Sequence, residues 1–202
     1  EAFESYLQQT VMPGVVAVYI STRPDCISDE HLDSMKRIKA IGLDVVVELG
    51  LQSINPNTLI WMNRGHTVED FSRVVQKLHE ADIYTCAHVI TDIPADSPED
   101  CIACAKYLNA LSIQQVKCHS LYILKDTPLS LSYIDGSFKP LELEEYLQRT
   151  ICFLEYLSPE ITVQRLIGRA PEARTLYANF NMSWWRVLEL LERKMTEEGR
   201  YQ

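Results

Sequence analysis

Short apolar runs alternate with amphipathic stretches along this chain, at intervals of roughly thirty residues. Runs rich in Val and Ile are typical of buried strands, and apolar positions repeating every three to four residues are typical of helices. The runs predict strands at residues 15–22, 44–52, 83–90, 116–124 and 161–167. The amphipathic stretches predict helices at 1–11, after Ser28, near 56–62, after Thr67, after Ser97, at about 142–157 and at about 183–198. Residues 125–140 contain Pro128, Gly136 and Pro140 and are predicted to be loop.

Alternation of strands and helices predicts consecutive βαβ units and therefore a parallel sheet. Strands this apolar require cover on both faces. We therefore interpret the fold class as α/β, specifically a partial parallel (β/α) barrel. A single domain is expected over residues 1–202, with the partial barrel at 1–140 and a helix–strand–helix extension packed on it at 141–202.

Composition narrows the function classes. The formal charge of −9 argues against a broad nucleic-acid surface. No apolar stretch is long enough to span a bilayer, and no signal peptide is visible, so no membrane partner is expected. The six cysteines are scattered without a disulfide framework, which indicates a reducing compartment and hence a cytoplasmic location.

Candidate chemistry begins at the end of the second predicted strand. Alternation places Glu48, Gly50 and Gln52 on one face, so that face changes from apolar to hydrogen-bonding as the strand ends. A polar turn and a short helix then lead to Arg64, twelve residues after Gln52. The carboxyl ends of parallel strands face the ligand crevice, so this segment is the main candidate for a binding site.

The motifs around this segment resemble those of radical S-adenosylmethionine (SAM) enzymes. Within that superfamily they are similar to the branch of the Elongator catalytic subunit and oxygen-independent coproporphyrinogen oxidase, and most to uncharacterised bacterial YhcC-like Fe–S oxidoreductases. The resemblance covers nearly the whole chain and rests on the order and spacing of five motifs. They are ELGLQS at 48–53, NRGHT at 63–67, STRPDC at 21–26, KCHSLYILKDTP at 117–128 and QRLIGRAP at 164–171.

The resemblance implies an open six-stranded barrel and a reaction in which a [4Fe–4S] cluster cleaves SAM reductively to a 5′-deoxyadenosyl radical. Such an enzyme requires an electron donor and a substrate; a tRNA base is one candidate by analogy with the Elongator branch. The family binds its cluster through a Cys-x3-Cys-x2-Cys triplet, and this sequence contains none. We therefore expect a fragment of a longer enzyme, inactive alone, that holds no metal itself. Its edge strand at 15–22 is expected to be unpaired and able to form a homodimer.

The resemblance also implies which residues contact SAM. Gln52 corresponds to the residue that holds the ribose, and Arg64 to the one that meets the carboxylate, roles that suit an amide and a guanidinium fork. Ser21 stands where the coproporphyrinogen oxidase branch has a SAM-contacting carboxylate. His88 stands where that branch has a ribose-binding aspartate. Glu48 completes the cofactor-binding set.

Three further residues are expected on the inner face of the barrel. Lys117 and His119 share a face of the fourth predicted strand, and Arg165 lies on the last, so all three are candidate substrate contacts. Glu48 is expected to neutralise Lys117 or Arg23. No catalytic residue is assigned.

Two paired motifs are interpreted as structural. Cys101 and Cys104 lie in a predicted helix with no second pair nearby, which favours buried packing over a redox or metal role. Trp184 and Trp185 fit a packing helix better than a base-stacking platform.

Two other function classes remain open at this point. One is a metal-dependent hydrolytic barrel with Glu48, His88 and His119 as ligands. The other is a non-catalytic interaction module whose sheet edge pairs with a partner.

Overall fold

A computed structural model describes residues 2–202. Seven strands are present among these residues. They are β1 (Ala17–Thr22), β2 (Asp44–Gln52), β3 (Tyr84–Ile90), β4 (Gln115–His119), β5 (Tyr122–Leu124), β6 (Thr162–Arg165) and β7 (Thr175–Ala178). Five of them form one sheet in the order β1-β2-β3-β4-β6, with every neighbouring pair parallel. The remaining two, β5 and β7, pair antiparallel in a separate ribbon. The predicted α/β class with a parallel sheet is confirmed.

Eight α-helices connect and cover the strands. They are α1 (Ala2–Gln8), α2 (Asp29–Ala40), α3 (Pro56–Trp61), α4 (Val68–Glu80), α5 (Pro98–Ala110), α6 (Pro128–Ile134), α7 (Leu143–Tyr156) and α8 (Trp184–Glu198). Capping boxes at Ser28, Thr67 and Ser97 start α2, α4 and α5, as the sequence predicted. Each cap satisfies an amide that the first turn would otherwise leave unpaired.

The main core lies between the sheet and its covering helices. All residues of β2 from Val45 to Leu51 are buried, because α2 and α4 cover one face of the sheet and the inner face carries its own contacts. Phe71 and Leu78 of α4 are fully buried in this core. The opposite, inner face of β2 carries Glu48 and Gly50, and this is where the polar groups gather.

The prediction of one continuous strand over residues 116–124 was wrong. The structure divides 116–124 into β4 and β5, which belong to different sheets. The break has a physical cause: both oxygens of the buried Asp92 carboxylate accept the amide of Leu121, at 2.8 and 2.9 Å. That contact turns the chain out of the parallel ladder immediately after Ser120.

The loop predicted at 125–140 was also wrong in part. Thr127 caps α6, with its hydroxyl accepting the amide of Ser130 at 3.2 Å and Pro128 at the first helical position. Proline is common in loops but suits the first position of a helix equally well, which is where Pro128 lies. The short strand β7 was not predicted at all.

The C-terminal part joins the sheet rather than only packing on it. β6 pairs with β4, with Lys117 beside Arg165, and α8 packs on α7 around Val187 and Leu191. The two edges of the sheet are β1 and β6. Within residues 2–202, no helix has the length and apolar character needed to cross a membrane.

Candidate functional site

The rim of the sheet is formed where β2 ends. The pairing of β2 with β3 shifts register between Gly50 and Gln52, and Gln52 has a φ of 70°. A bulge and a left-handed residue re-aim the side chain that follows them, and such conformations cluster at functional sites. Simple alternation placed Gln52 on the correct face but did not predict this local geometry.

Arg64 reaches the same rim from the loop after α3. Its amide donates to the carbonyl of Leu59 at 3.0 Å, which ends the helix. Asn63 and Gly65 on either side have φ values of 52° and 71°. Two left-handed residues around Arg64 turn the chain sharply, so the guanidinium folds back over the end of β2.

The side chains of Gln52 and Arg64 converge over Gly50. A Cβ placed on Gly50 would lie 2.7 Å from Gln52 Nε2 and 2.9 Å from Arg64 Nη2. Only glycine leaves room for both groups. The amide and the guanidinium therefore face one shared space, which a common binding site for the two groups would need.

Neither of these two groups is satisfied by the rest of the described chain. Within residues 2–202, no side-chain hydrogen bond involves Gln52 or Arg64, and Arg64 Nε is buried without a partner. Burial, followed by the nearby charge of Arg23, lowers the pKa of Arg64, yet a guanidinium remains charged at neutral pH. The charge of Asp25, which is itself paired with Arg23, offsets only part of this lowering, and Arg64 forms no ion pair with a described carboxylate. A half-buried guanidinium in this position suits an anionic ligand.

Two residues before Gly50 on β2, Glu48 is the centre of a polar network. Its Oε1 pairs with Lys117 Nζ, and its Oε2 accepts the hydroxyl of Ser21 at 2.5 Å. His88 Nε2 lies 3.6 Å from the same Oε2. Burial alone would raise the pKa of Glu48, but the hydrogen bonds from Lys117 and Ser21 outweigh it and the pKa is lowered. Glu48 is therefore ionised and fully engaged.

Two histidines extend this network along the inner face. His119 Nε2 and His88 Nδ1 are 3.3 Å apart. Burial lowers the pKa of both rings, that of His119 to about 4 with a further contribution from His88. Both are therefore neutral at pH 7. They border a small cavity of about 240 Å³ together with Gln52, Ser120 and Leu121.

The remaining candidates are placed as follows. Ser21 is bound to Glu48. Arg165 is exposed beside Lys117 and, within the described part of the chain, makes no side-chain hydrogen bond. Of the two expected partners of Glu48, the structure shows Lys117, whereas Arg23 pairs with Asp25 at 2.5 Å.

Four of the six cysteines are buried, whereas Cys26 is exposed and Cys152 is partly buried. Cys101 and Cys104 are buried in α5, which confirms the packing interpretation. Burial raises the pKa of Cys86, Cys101 and Cys118 to about 12, so these thiols are protonated and are poor metal ligands. Across residues 2–202 no three His, Cys, Asp or Glu side chains are grouped to hold a metal ion. The donor set at Gln52 and Arg64 fits SAM, whereas the described cysteines do not fit a [4Fe–4S] cluster.

The tryptophans divide between two environments. Trp184 packs against the α7–α8 core and carries the guanidinium of Arg169 at 4.1 Å from its ring. Trp185 is 57% exposed, so the packing interpretation holds for the first and not for the second.

Sequence reasoning missed two features beside the site. The carboxylate of Asp92 accepts the backbone amide of Leu121 and fixes the turn there. No sequence pattern predicts a hydrogen bond between one carboxylate and a backbone amide 29 residues later. Trp61 and Phe138 stack with ring centroids 5.7 Å apart, and they come from segments assigned to a short helix and a loop. Only their aromatic character was visible in the sequence.

Comparison with known families accounts for nearly all of the chain. Residues 3–108 match the Radical SAM superfamily, and residues 113–197 match the Radical_SAM C-terminal domain. The boundary between the two matches falls just before β4 (Gln115–His119).

Relatives and a solved structure agree. The uncharacterized protein MJ0486 of Methanocaldococcus jannaschii is 33% identical over 92% of this chain and 59% of its own length. Protein YhcC of Escherichia coli K12 is 27% identical over 96% of this chain and 63% of its own length. Archaeal Elp3 from Methanocaldococcus infernus superimposes with a TM-score of 0.77 at 25% identity, covering 92% of this chain and 42% of that one.

The chain thus spans about three fifths of the length of these two curated relatives. The fold, the order of the motifs and the matches over both parts of the sequence lead to the same conclusion: this chain belongs to the radical SAM superfamily.

Proposed function

We propose that the rim formed by Gln52 and Arg64 binds SAM, and that the whole protein is a radical SAM Fe–S oxidoreductase. The observation that carries the proposal is the convergence of two unpaired donors over Gly50. When bound, SAM and a [4Fe–4S] cluster supply radical chemistry that begins with reductive cleavage of the sulfonium carbon–sulfur bond. The whole protein also needs an electron donor.

Each rim residue has a role that its chemistry suits. Arg64 offers a planar, charged fork to the SAM carboxylate. Gln52 offers a donor and an acceptor to the ribose hydroxyls. Gly50 leaves the space between them open. His88 borders the same cavity as Gln52 and, being neutral, donates one hydrogen bond and accepts another.

A polar network lies beneath the rim. Lys117 and Ser21 hold the Glu48 carboxylate, which forms the floor of the site and lies 3.6 Å from His88 Nε2. In this proposal Ser21 and Glu48 act through their neighbours, a narrower role than direct SAM contact. His119 and Arg165 lie farther along the inner face, toward β6, where they would meet substrate, whereas Lys117, the third candidate, is held by Glu48 and has a structural role in this proposal.

The substrate class predicted by analogy with the Elongator branch, a tRNA base, gains no support from a formal charge of −9. The metal-dependent alternative lacks a three-ligand group among the described side chains. The interaction-module alternative is favoured by one feature, the edge position of β1, where Tyr19 is 50% exposed. A dimer in size-exclusion chromatography that Tyr19→Lys abolishes would support edge pairing in the isolated chain.

Binding of SAM to the whole protein tests the main proposal. Gln52→Ala and Arg64→Ala should each weaken SAM binding, Arg64→Ala by about tenfold to a hundredfold because a hydrogen-bonded charge contributes about 1.5–3 kcal/mol. Arg186→Ala, a paired arginine on the exposed face of α8, is the matched control and should leave the affinity unchanged. Unchanged affinity in both rim variants would remove the assignment.

A further inference from the structure

A second cavity adjoins the proposed SAM rim and is not used by it. It has a volume of about 490 Å³, within the range of small-molecule sites. It lies between α3 and the segment that follows β4. Its lining is Trp61, Met62, Asn63, Leu121, Thr127, Pro128, Leu129, Ser132, Ser137 and Phe138.

The lining of this cavity is uncharged and includes two aromatic rings, Trp61 and Phe138. Trp61 and Phe138 stack with an interplanar angle of 17°. Phe138 is buried, whereas Trp61 is 48% exposed, so the tryptophan presents a flat ring surface that the chain itself leaves uncovered. No Lys, Arg, Asp or Glu lines the space. The hydroxyls of Thr127 and Ser137 donate to backbone carbonyls of Leu124 and Ser132, so the hydroxyl protons of these two side chains are not free for a ligand.

Two residues place the cavity next to the rim. Asn63 lines it and is followed directly by Arg64. Leu121 lines it and also the smaller cavity that contains Gln52, His88 and His119. Asp92 holds Leu121 in this position by accepting its backbone amide. The two cavities are therefore neighbours, separated at Leu121.

We propose that this cavity binds a planar, uncharged aromatic or heteroaromatic ring of a small-molecule substrate. Flat aromatic walls favour a flat aromatic ligand, through both buried apolar area and offset stacking. The uncharged lining and the net charge of −9 disfavour a polyanion such as RNA as the source of that ring. That the ring belongs to the substrate rests on the proposed SAM site; that the cavity binds it does not.

Calorimetric titration of the whole protein with quinoline at pH 7.5 tests the proposal, with decahydro-2-naphthol, a saturated and uncharged bicyclic ring, for comparison. Quinoline should bind at least tenfold more tightly than the saturated ring. Trp61→Leu should weaken quinoline binding about tenfold or more, because it removes the stacking surface. Ser132→Trp should weaken it as strongly by filling the space, and it retains both aromatic walls.

Trp185→Leu is the matched control, since it removes an equally exposed tryptophan from α8 and should leave quinoline binding unchanged. Equal affinity of the wild type and Trp61→Leu would overturn the proposal, as would the absence of quinoline binding to the wild type. Tighter binding of a single-stranded oligonucleotide at this cavity, lost in Trp61→Leu, would also overturn it, in favour of a nucleic acid.

Failure here is distinguishable from failure of the SAM site. Quinoline binding is measured without SAM, and Gln52→Ala should not alter it. If Gln52→Ala and Arg64→Ala weaken SAM binding while Trp61→Leu leaves quinoline binding intact, the aromatic cavity alone is refuted. If quinoline binds as expected and both rim variants retain SAM affinity, the SAM assignment alone is refuted.

Discussion

Two polar regions lie side by side on the inner face of the sheet and differ in whether their charged groups are paired, although His88 Nε2 in the first region is also buried without a hydrogen-bond partner. In the polar network around Glu48, called the row from here on, Lys117 and Ser21 bind the carboxylate. At the rim, the side chains of Gln52 and Arg64 converge over Gly50, and Arg64 Nε is buried without a hydrogen-bond partner. Glu48 and Gln52 lie on the same strand, β2, and are four residues apart.

This difference separates structural polarity from polarity kept for a ligand. A buried ion pair whose members satisfy each other has little left to offer a bound molecule. A buried donor without a partner carries a desolvation cost that only a ligand or solvent relieves. Under the proposal, the row has a structural part and the rim contacts the ligand.

Breaking the row should destabilise the fold. Lys117→Met leaves the Glu48 carboxylate without its cation and should lower the free energy of unfolding by about 3 kcal/mol, measured by urea denaturation. Glu48→Leu combined with Lys117→Met removes both charges and should recover part of that loss. A loss below about 1 kcal/mol in the single variant would place the row in the same class as a surface pair.

The Asp92 corner should give the next largest effect. Asp92→Asn replaces one of the two oxygens that accept the Leu121 amide by an NH2 group and should cost about 2 kcal/mol at pH 5. Burial raises the pKa of Asp92 to about 7, so its contribution is largest at low pH and is lost as the pH rises through 7. The deficit of Asp92→Asn relative to the wild type should therefore be smaller at pH 8 than at pH 5. A deficit that grows with pH would contradict this.

The sequence predicts part of this fold and of the candidate site, and the residues discussed above show which part. Periodicity and caps were sufficient for β2 and for α2, α4 and α5, because local patterns determine them. The pairing of Glu48 with Lys117 was anticipated as one of two options, because both side chains fall on one face. The corner at Asp92 and the stacking of Trp61 on Phe138 depend on contacts between distant segments, which periodicity does not encode. The left-handed conformation of Gln52 is also unmarked, since glutamine is not a residue that favours it.

Acid should destabilise the fold through the histidine pair. The folded pKa of His119 is depressed to about 4, so below about pH 6.5 the unfolded chain takes up a proton that the folded chain refuses. Its contribution is present above pH 6.5 and is lost as the pH falls toward 4. His119→Gln should flatten this part of the stability profile, measured by urea denaturation at a series of pH values.

The exposed histidine His79 on α4 supplies the control for that profile. His79→Gln should leave the difference in stability between pH 6.5 and pH 4 nearly as it is in the wild type. An equal flattening by both substitutions would show that the inner face has no special part in the acid response.

The smallest effect is expected from a pair on the surface. Arg186 and Glu189 form an exposed ion pair at 2.7 Å on α8. Arg186→Ala should change the free energy of unfolding by less than about 0.5 kcal/mol. A loss comparable to that of Lys117→Met would remove the distinction between the buried row and ordinary surface charges.

The central claim, that the rim is kept open for SAM, is tested most directly by Gly50→Ala in the whole protein. The added Cβ falls within 3 Å of the ends of two flexible side chains, Gln52 and Arg64, which can move aside with little strain. The account predicts that SAM affinity falls about a hundredfold, the sum of two displaced polar contacts, while the free energy of unfolding hardly changes. Wild-type SAM affinity in Gly50→Ala would contradict it.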